Sequence, residues 1–288
     1  MLNKKRIEEE IDQANSLQAL TYAYEEIASI RMKKSRNLVL TRRDFLSEIN
    51  EVFHQVRFSY ARQAMALAKK RKIRQGEKLT FLAHNGKTVA VFLSANTGLY
   101  GDIIRRTFNE FLTEVRKGEC EVTIVGKYGL SLYLQEESDR PYTFFDLADY
   151  QAKTKQVAKI IKHIVAYEKI HVYYGKFMNV INQKPTMYSI SADIGSASDI
   201  KDKGDLYLFE PTLENILMFF EREIFASLFE QAVNESELAK FASRVVAMDK
   251  AAENLKNYSK QLQTQKLRAA HNLANRKQLN SLSSMFFR

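Results

Sequence analysis

Glycine and proline are missing from the first 75 residues of this 288-residue chain and from the last 77. All ten glycines lie between Gly76 and Gly204, and all three prolines between Pro141 and Pro211. These residues disfavour a helix interior by roughly 1 and 3 kcal/mol relative to alanine. Their confinement to the middle predicts two long helical ends, 1–75 and 212–288, around a compact centre at 76–211. A helix of about 70 residues would extend on the order of 100 Å. No small domain is that long, so the ends must pack on each other or on a partner.

Cysteine is also nearly absent. The lone Cys120 excludes an internal disulfide and any multi-cysteine metal site, which suits a reducing compartment. No apolar run reaches the 18 or more residues of a membrane span. The start, MLNKKRIEEEID, lacks the apolar core of a signal peptide. The expectation is a soluble, cytoplasmic protein.

Acidic residues are missing from 254–288, where seven Lys/Arg stand against none. Residues 1–75 carry 16 Lys/Arg against 9 Asp/Glu, whereas 76–253 carry 21 against 25. The net charge of +10 therefore belongs to the helical ends. Basic ends call for an acidic partner, be it nucleic acid, an anionic membrane surface or an acidic protein; a solvated helix face is the plain alternative.

What is present agrees with helices at both ends. Ile7, Ile11, Ala14, Leu17, Leu20, Tyr24 and Ile27 follow 3/4 spacing, with a drift near residue 17, and Val39, Leu46, Ile49, Phe53, Val56 and Tyr60 continue it. The C-terminal heptad runs Leu238, Phe241, Val245, Met248, Ala252, Leu255 and thins through Ser259, Leu262, Lys266, Ala269 and Leu273. Such weak, polar-interrupted heptads predict an antiparallel two-helix coiled coil completed by outside contacts.

The centre changes period. Leu79–Ala83 and Thr88–Ser94 predict strands around a turn at His84-Asn-Gly86. A helix is expected at about 100–117, a strand at Glu121–Val125 and a short strand at Leu130–Leu134. Gly126-Lys-Tyr-Gly129 reads as the turn between those strands. A helix is expected over Asp146–Glu168, then strands at Lys169–Tyr174, Met187–Ser191 and Leu206–Phe209, with a polar loop at Gly195–Gly204. The alternation predicts a Rossmann-like α/β domain.

Catalytic patterns are lacking. Gly98-Leu-Tyr-Gly101 follows a strand and opens a helix, so its amides could hold an anion, yet the G-x-G-x-x-G spacing and the Walker Lys-Ser pair are absent. The five histidines, 54, 84, 163, 171 and 271, show no metal spacing. There is no Gly-x-Ser-x-Gly elbow, and Cys120 has no evident base. Asp146 with Asp149, and Glu136 with Glu137, read as surface carboxylates.

Ser243-Arg-Val-Val-Ala-Met-Asp-Lys-Ala-Ala-Glu-Asn254 closely resembles the C-terminal signature of F-type ATP synthase gamma subunits. Leu20-Thr-Tyr-Ala-Tyr-Glu-Glu-Ile-Ala-Ser-Ile-Arg-Met-Lys-Lys34 resembles that family's N-terminal hallmark. Ser94–Gly101 is similar to its Gly-rich loop, and Lys169–Asn179, Gln183-x-Pro185 and Tyr207–Pro211 follow in the family's order. The likeness covers nearly the whole chain.

This resemblance implies an antiparallel coiled coil of both ends with a Rossmann-like domain between them. It implies a central-stalk rotor of a proton-transporting ATP synthase, non-catalytic itself, whose rotation selects the state of each catalytic site on surrounding alpha and beta subunits. ATP, ADP and Mg would sit on those partners, with no cofactor or metal on this chain and no nucleic-acid partner. Tyr24, Arg31, Lys33, Lys34, Arg244, Asp249 and Arg268 match shaft positions expected to touch the stator. Ser94, Gly98, Tyr100 and Gly101 match a loop facing the epsilon subunit or foot. An epsilon subunit and a membrane ring are further implied partners, and the complex would hold the chain peripheral to the cell membrane.

The chain departs from the family pattern at Ala95, Asn96 and Thr97, at Asp102, at Lys240 and after Arg268. These departures leave open a gamma-like shaft of a divergent rotary ATPase with another mechanical output, such as cell motility. Two readings outside the family are a basic coiled-coil nucleic-acid binder and a small-molecule α/β enzyme.

Overall fold

The computed structural model describes residues 2–71, 85–118, 120–137, 139–190 and 213–286. Helix α1 is Leu2–Arg71, and it is followed by β1 Thr88–Leu93, α2 Ile103–Arg116, β2 Cys120–Val125 and α3 Lys127–Glu136. Then come β3 Tyr142–Phe145, α4 Thr154–Ile164, β4 Lys169–Phe177, β5 Gln183–Ile190 and α5 Leu213–Phe286. The two segments without glycine or proline are thus helical for 70 and 74 residues. The expected strands at Leu79–Ala83 and Leu206–Phe209, the turn at His84 and the polar loop at 195–204 lie outside the described residues.

The chain divides into two compact units, one made of Met1–Ile30 with Arg244–Arg288 and the other of Arg31–Ser243. In the first unit the two helices run antiparallel. Gln18 Nε2 donates to the Ala252 carbonyl at 3.4 Å, Ser259 Oγ bonds Asn15 Oδ1 at 3.2 Å, and Lys266 pairs with Glu8 at 2.9 Å. Numbers fall on one helix as they rise on the other. Ile7, Ala14 and Ala28 are buried on α1, and Met248, Ala252, Ser259 and Leu262 on α5. The C-terminal heptad therefore points where its spacing predicts.

The N-terminal stripe does not. Leu17 and Leu20 are each 52% exposed, and Tyr24 and Ile27 are exposed too. The buried line of α1 keeps a strict seven-residue step through Ile7, Ala14, Thr21 and Ala28, of which Thr21 is half-buried, flanked by half-buried Ile11, Gln18 and Glu25. The drift at residue 17 thus marks where the apolar stripe leaves the helix–helix seam. A strict heptad must supercoil to stay in register, and small residues at 14 and 28 let the backbones approach. Leu17, Leu20, Tyr24 and Ile27 form a second stripe on the outer face.

The second unit is a three-layer α/β domain. Its sheet has the order β3-β2-β1-β4-β5, parallel except for β5, which runs antiparallel to β4. On one face, Val89, Val91 and Leu93 of β1 and Ile170, Val172 and Tyr174 of β4 meet Val157, Ile160 and Ile164 of α4. Phe225, Phe229, Ala232 and Val233 of α5 join the same core. On the other face Phe92 lies 5.6 and 5.3 Å from Phe108 and Phe111 of α2, and Phe111 meets Tyr133 of α3 and Tyr173 of β4. Strands buried on both faces are the near-continuous apolar runs of a parallel sheet.

Two expectations for the centre are corrected. Leu130–Leu134 is helical, within α3, and Gly126–Gly129 is its first turn and not a hairpin turn. Gly126 has φ 102°, and a Cβ there would lie 2.7 Å from the Ala95 carbonyl oxygen. A Cβ on Gly129 would lie 2.5 Å from the Cβ of Ser94. The glycines let α3 start hard against the β1 loop, and its alternating Leu-Ser-Leu-Tyr-Leu then follows a helix. Helix α4 is also shorter than the expected Asp146–Glu168. Residues 146–153 are irregular, with Gln151 at φ 49°, and Tyr142–Phe145, ahead of the expected helix, forms edge strand β3 on β2.

Candidate partner-contact surfaces

The structure sorts the seven shaft residues by exposure. Tyr24, Lys33, Lys34, Asp249 and Arg268 have exposed side chains. Tyr24 sits among the outer apolar residues of α1, beside Leu17, Leu20 and Ile27. Arg268 lines a polar groove of about 390 Å³ with Arg6, Ile7, Glu10 and Asn272, and Arg6 is tied to Glu10 at 3.2 Å. The other two are turned inward. The Arg31 guanidinium lies 4.9 Å from the Tyr150 ring centre and 5.8 Å from that of Phe241, a cation–π stack within the α/β unit. Arg244 is only 6% exposed.

The loop after β1 divides in the same way. Gly98 and Gly101 are exposed, as is Leu99 at φ 66°, whereas Ser94 and Tyr100 are buried. The stretch opens α2 as its sequence predicts, but the helix begins behind Asp102, whose carboxylate lies 3.8 Å from Arg106. Asp102 stands at the start of α2 but makes no side-chain hydrogen bond to its first amides.

The carboxyl ends of β1 and β4 flank the crevice where open α/β sheets bind nucleotides. Here the chain fills it. Gly175 of β4 touches Ile103 so closely that a Cβ would come within 2.7 Å, with Ala239 of α5 at 3.6 Å. Beside it, Asp149 takes the place of an outside anion. Its Oδ1 accepts from the Asn96 amide at 2.7 Å, and its Oδ2 from the Thr97 amide at 2.9 Å and hydroxyl at 2.7 Å. Asn96 Nδ2 donates to Asp146 Oδ1 and the Leu147 carbonyl, and Asn96 Oδ1 accepts from the Lys127 amide at the start of α3. Asp146 and Asp149 are thus structural acceptors that a sequence cannot distinguish from solvated acids.

Helix α5 closes this network. Lys240 Nζ donates to the Ser94 carbonyl at 2.9 Å and lies 4.0 Å from Asp149. Ser243 Oγ donates to the Tyr100 carbonyl at 2.8 Å. Glu237 accepts from the Ser35 hydroxyl of α1 and, at 3.0 Å, from the Gln151 amide. Burial pushes the Glu237 carboxyl above the usual carboxylate range, against the pull of Ser35, Lys240, Gln151 and Arg31. Of the three α5 side chains, Lys240 stood out in the sequence as a departure from a motif and Ser243 as the first residue of the signature, whereas Glu237 did not.

Elsewhere in the α/β unit, His163 Nε2 lies 3.2 Å from the Thr123 hydroxyl, between the rings of Phe145 and Tyr167. Burial pushes its pKa down, with a weaker opposing pull from Glu121. Tyr167 donates to Glu121 at 2.6 Å, and its own pKa is pushed up to about 12, mainly by burial. Among the described residues no cluster of His, Cys, Asp and Glu could hold a metal ion, and no helix is long and apolar enough to cross a membrane.

Comparison with known proteins follows these surfaces. A family model described as ATP synthase matches residues 3–270, stopping short of the end of α5. A protein named ATP synthase gamma chain from Mycoplasma capricolum is 24% identical over 272 residues, covering 91% of this chain and 90% of that relative. A protein of the same name from Ruthia magnifica is 23% identical over 269 residues, covering 90% of each. Among solved structures, the central stalk and c-ring of the Tetrahymena thermophila mitochondrial ATP synthase contains a similar chain. Its TM-score is 0.55 at 18% identity, covering 81% of this chain and 99% of that one. The rotor of the Euglena gracilis mitochondrial ATP synthase contains another, with a TM-score of 0.52 at 17% identity, covering 84% and 98%.

Proposed function

The chain belongs to the ATP synthase gamma-subunit family, and we propose that it works as the central-stalk rotor of a rotary ATPase, inside a ring of alpha and beta subunits. The observation that carries this reading is the outer face of α1. Leu17, Leu20, Tyr24 and Ile27 lie exposed at 3/4 spacing on a helix whose neighbouring face is already packed on a partner helix. A contiguous exposed apolar stripe marks a protein contact. The exposed cations Lys33 and Lys34 suit an acidic stator element. Gly98, Leu99 and Gly101 offer the exposed rim for an epsilon or foot subunit, whereas Ser94 and Tyr100 support that rim from below.

Rotation would act by rigid-body bias, since a surface that differs around its circumference stabilises a different state in each neighbour. Catalysis, ATP and Mg would belong to the partners. In support, Ile103 and Asp149 of this chain fill the crevice and occupy the amides that a nucleotide would need. The attachment to a membrane would be indirect, through other subunits.

The test is reconstitution. Alpha and beta ATPase subunits should co-purify with the chain, and Ile27→Asp with Lys33→Glu and Lys34→Glu should weaken coupling of hydrolysis to rotation. The isolated variant should keep its helicity and melting midpoint. If no such subunits bind the wild-type chain, the reading fails.

A further inference from the structure

Two kinds of contact hold α5 in the α/β unit, and they resist different motions. Phe225, Phe229, Ala232 and Val233 pack on α4 and the sheet through apolar surface alone. Such contact is strong but non-directional, so it opposes separation better than sliding or twisting. Within the next three turns the contact changes character. Glu237, Lys240 and Ser243 are all buried, and each bonds a main-chain atom of a loop at the carboxyl edge of the sheet: the Gln151 amide, the Ser94 carbonyl and the Tyr100 carbonyl. Main-chain atoms cannot follow a sliding helix by changing rotamer. The loops are themselves pinned, because Asp149 holds the amides of Asn96 and Thr97, and Asn96 holds the first amide of α3.

We infer that Glu237, Lys240 and Ser243 form a clasp that fixes the angular and axial register of the α/β domain on α5, so that load on the domain reaches the helix without slip. The inference rests on the rotor reading and deepens it: these are positioning residues for torque, not contacts with other subunits. Buried ionic groups contribute little net stability, but directional ones specify a single register. Glu237 also takes the Ser35 hydroxyl, so the clasp reaches α1, and Arg31 stacked on Tyr150 and Phe241 covers it.

The experiment uses the assembled complex with a bead on Asn109→Cys, an exposed site on α2, and the full chain spin-labelled at Asn109→Cys and Arg36→Cys in a Cys120→Ala background. In the variant carrying Glu237→Gln and Lys240→Met, ATP hydrolysis should stay at the wild-type rate while stall torque at the bead is lost. The label-to-label distance distribution should broaden. Lys240→Arg, which keeps the donor, should restore both. Ser243→Ala deletes one bond without stranding a charge, and it should broaden the distribution to a lesser degree if the double variant does not fold. Unchanged torque and an unchanged distribution in folded variants would overturn the clasp. If the wild-type complex turns no bead, the rotor reading fails, and the distance distributions alone still judge whether register depends on these residues.

Discussion

The same two helices are held in two different ways. In the unit of Met1–Ile30 and Arg244–Arg288, α1 and α5 have only each other. The seam is narrow, built on Ile7, Ala14, Ala28, Met248, Ala252 and Leu262, and apolar residues such as Leu17 and Ile27 remain in solvent. In the unit of Arg31–Ser243, α5 gains a sheet beneath it, and Phe229, Leu238, Ala239, Phe241 and Ala242 are almost wholly enclosed. A helix pair without a third layer buries one narrow stripe per helix, and most helical stability comes from tertiary packing of an apolar face. The α/β unit carries its own core. The bare pair leaves part of its apolar surface in solvent.

Truncating one large residue in each unit puts that contrast to measurement. Phe229 is fully buried between α5 and the sheet. Phe229→Ala should cost about 3–5 kcal/mol, because the neighbouring side chains cannot collapse into the space. Leu262 is nearly as buried, but within a two-helix seam with solvent on both flanks. Leu262→Ala should cost about 2 kcal/mol, the low end for a leucine truncation, because the helices can close on the gap. Urea denaturation of the full chain, followed by circular dichroism and by tyrosine fluorescence, reads both. Equal losses would mean that the seam is as tightly packed as the core.

A clash variant separates the second unit further. Gly126→Ala would force a Cβ to within 2.7 Å of the Ala95 carbonyl at a φ of 102°. A loss of about 1–3 kcal/mol is expected from left-handed strain and overpacking, with the near-ultraviolet signal of Tyr133 perturbed. A substitution tolerated without change would show that the start of α3 is free to move away from the β1 loop.

How far the sequence reveals this arrangement depends on whether a feature is local. Missing glycine and proline are local facts about backbone entropy, and they locate both long helices. Hydrophobic period located β1, α2, β2 and β4 for the same reason. It failed where a distant partner decides. Leu130–Leu134 alternates like a strand, yet Gly126 and Gly129 dock against Ala95 and Ser94, residues more than thirty positions earlier. Leu17–Ile27 continues the 3/4 spacing of Ile7–Ala14, yet the seam follows Thr21 and Ala28, because a helix partner selects small residues that composition alone ranks as weak. Tyr24, Lys33 and Lys34, which match a family motif as expected stator contacts, have exposed side chains, whereas Arg31 in the same motif lies against Tyr150. The Asp149–Lys240–Ser94 network left scattered traces in the sequence, Ser94 in the Gly-rich loop and departures at Asn96, Thr97 and Lys240, but nothing in a linear chain pairs residue 149 with 240.

Titration offers a gentler probe confined to the α/β unit. His163 is held neutral by burial, with its pKa below the ordinary 6.5. The unfolded chain therefore binds a proton at this site that the folded chain resists. Stability from His163 is fully present above pH 6.5 and is lost as pH falls through the lowered value. Glu237 has the opposite sign, since its raised pKa relieves a penalty as pH falls, so the raw profile mixes the two. Subtracting the profile of His163→Leu from that of the wild type isolates the histidine. The difference should be flat above pH 6.5 and should shift in favour of the variant below it. A flat difference down to pH 4.5 would show that the imidazole is reached by water.

The smallest effect belongs to the bare pair and concerns its charges. Lys266 reaches Glu8 at 2.9 Å across the seam, and this pairing holds the Glu8 carboxyl below its usual range. Both side chains remain well exposed, at 39% and 42%. Water and salt screen such a pair, and fixing two long side chains costs entropy. Lys266→Met should therefore leave the denaturation midpoint unchanged at physiological ionic strength, even though this ion pair bridges the two helices of that unit directly. The distinction from Lys240 then becomes a difference of burial alone. Both lysines sit on α5 and both meet a carboxylate on another element, but Lys240 is enclosed with its partner and bonded to the Ser94 carbonyl. Removing the Lys240 charge should be felt in register and removing the Lys266 charge should not. A midpoint that falls with Lys266→Met and recovers in high salt would place the helix pair's cohesion in its surface charges and not in its seam.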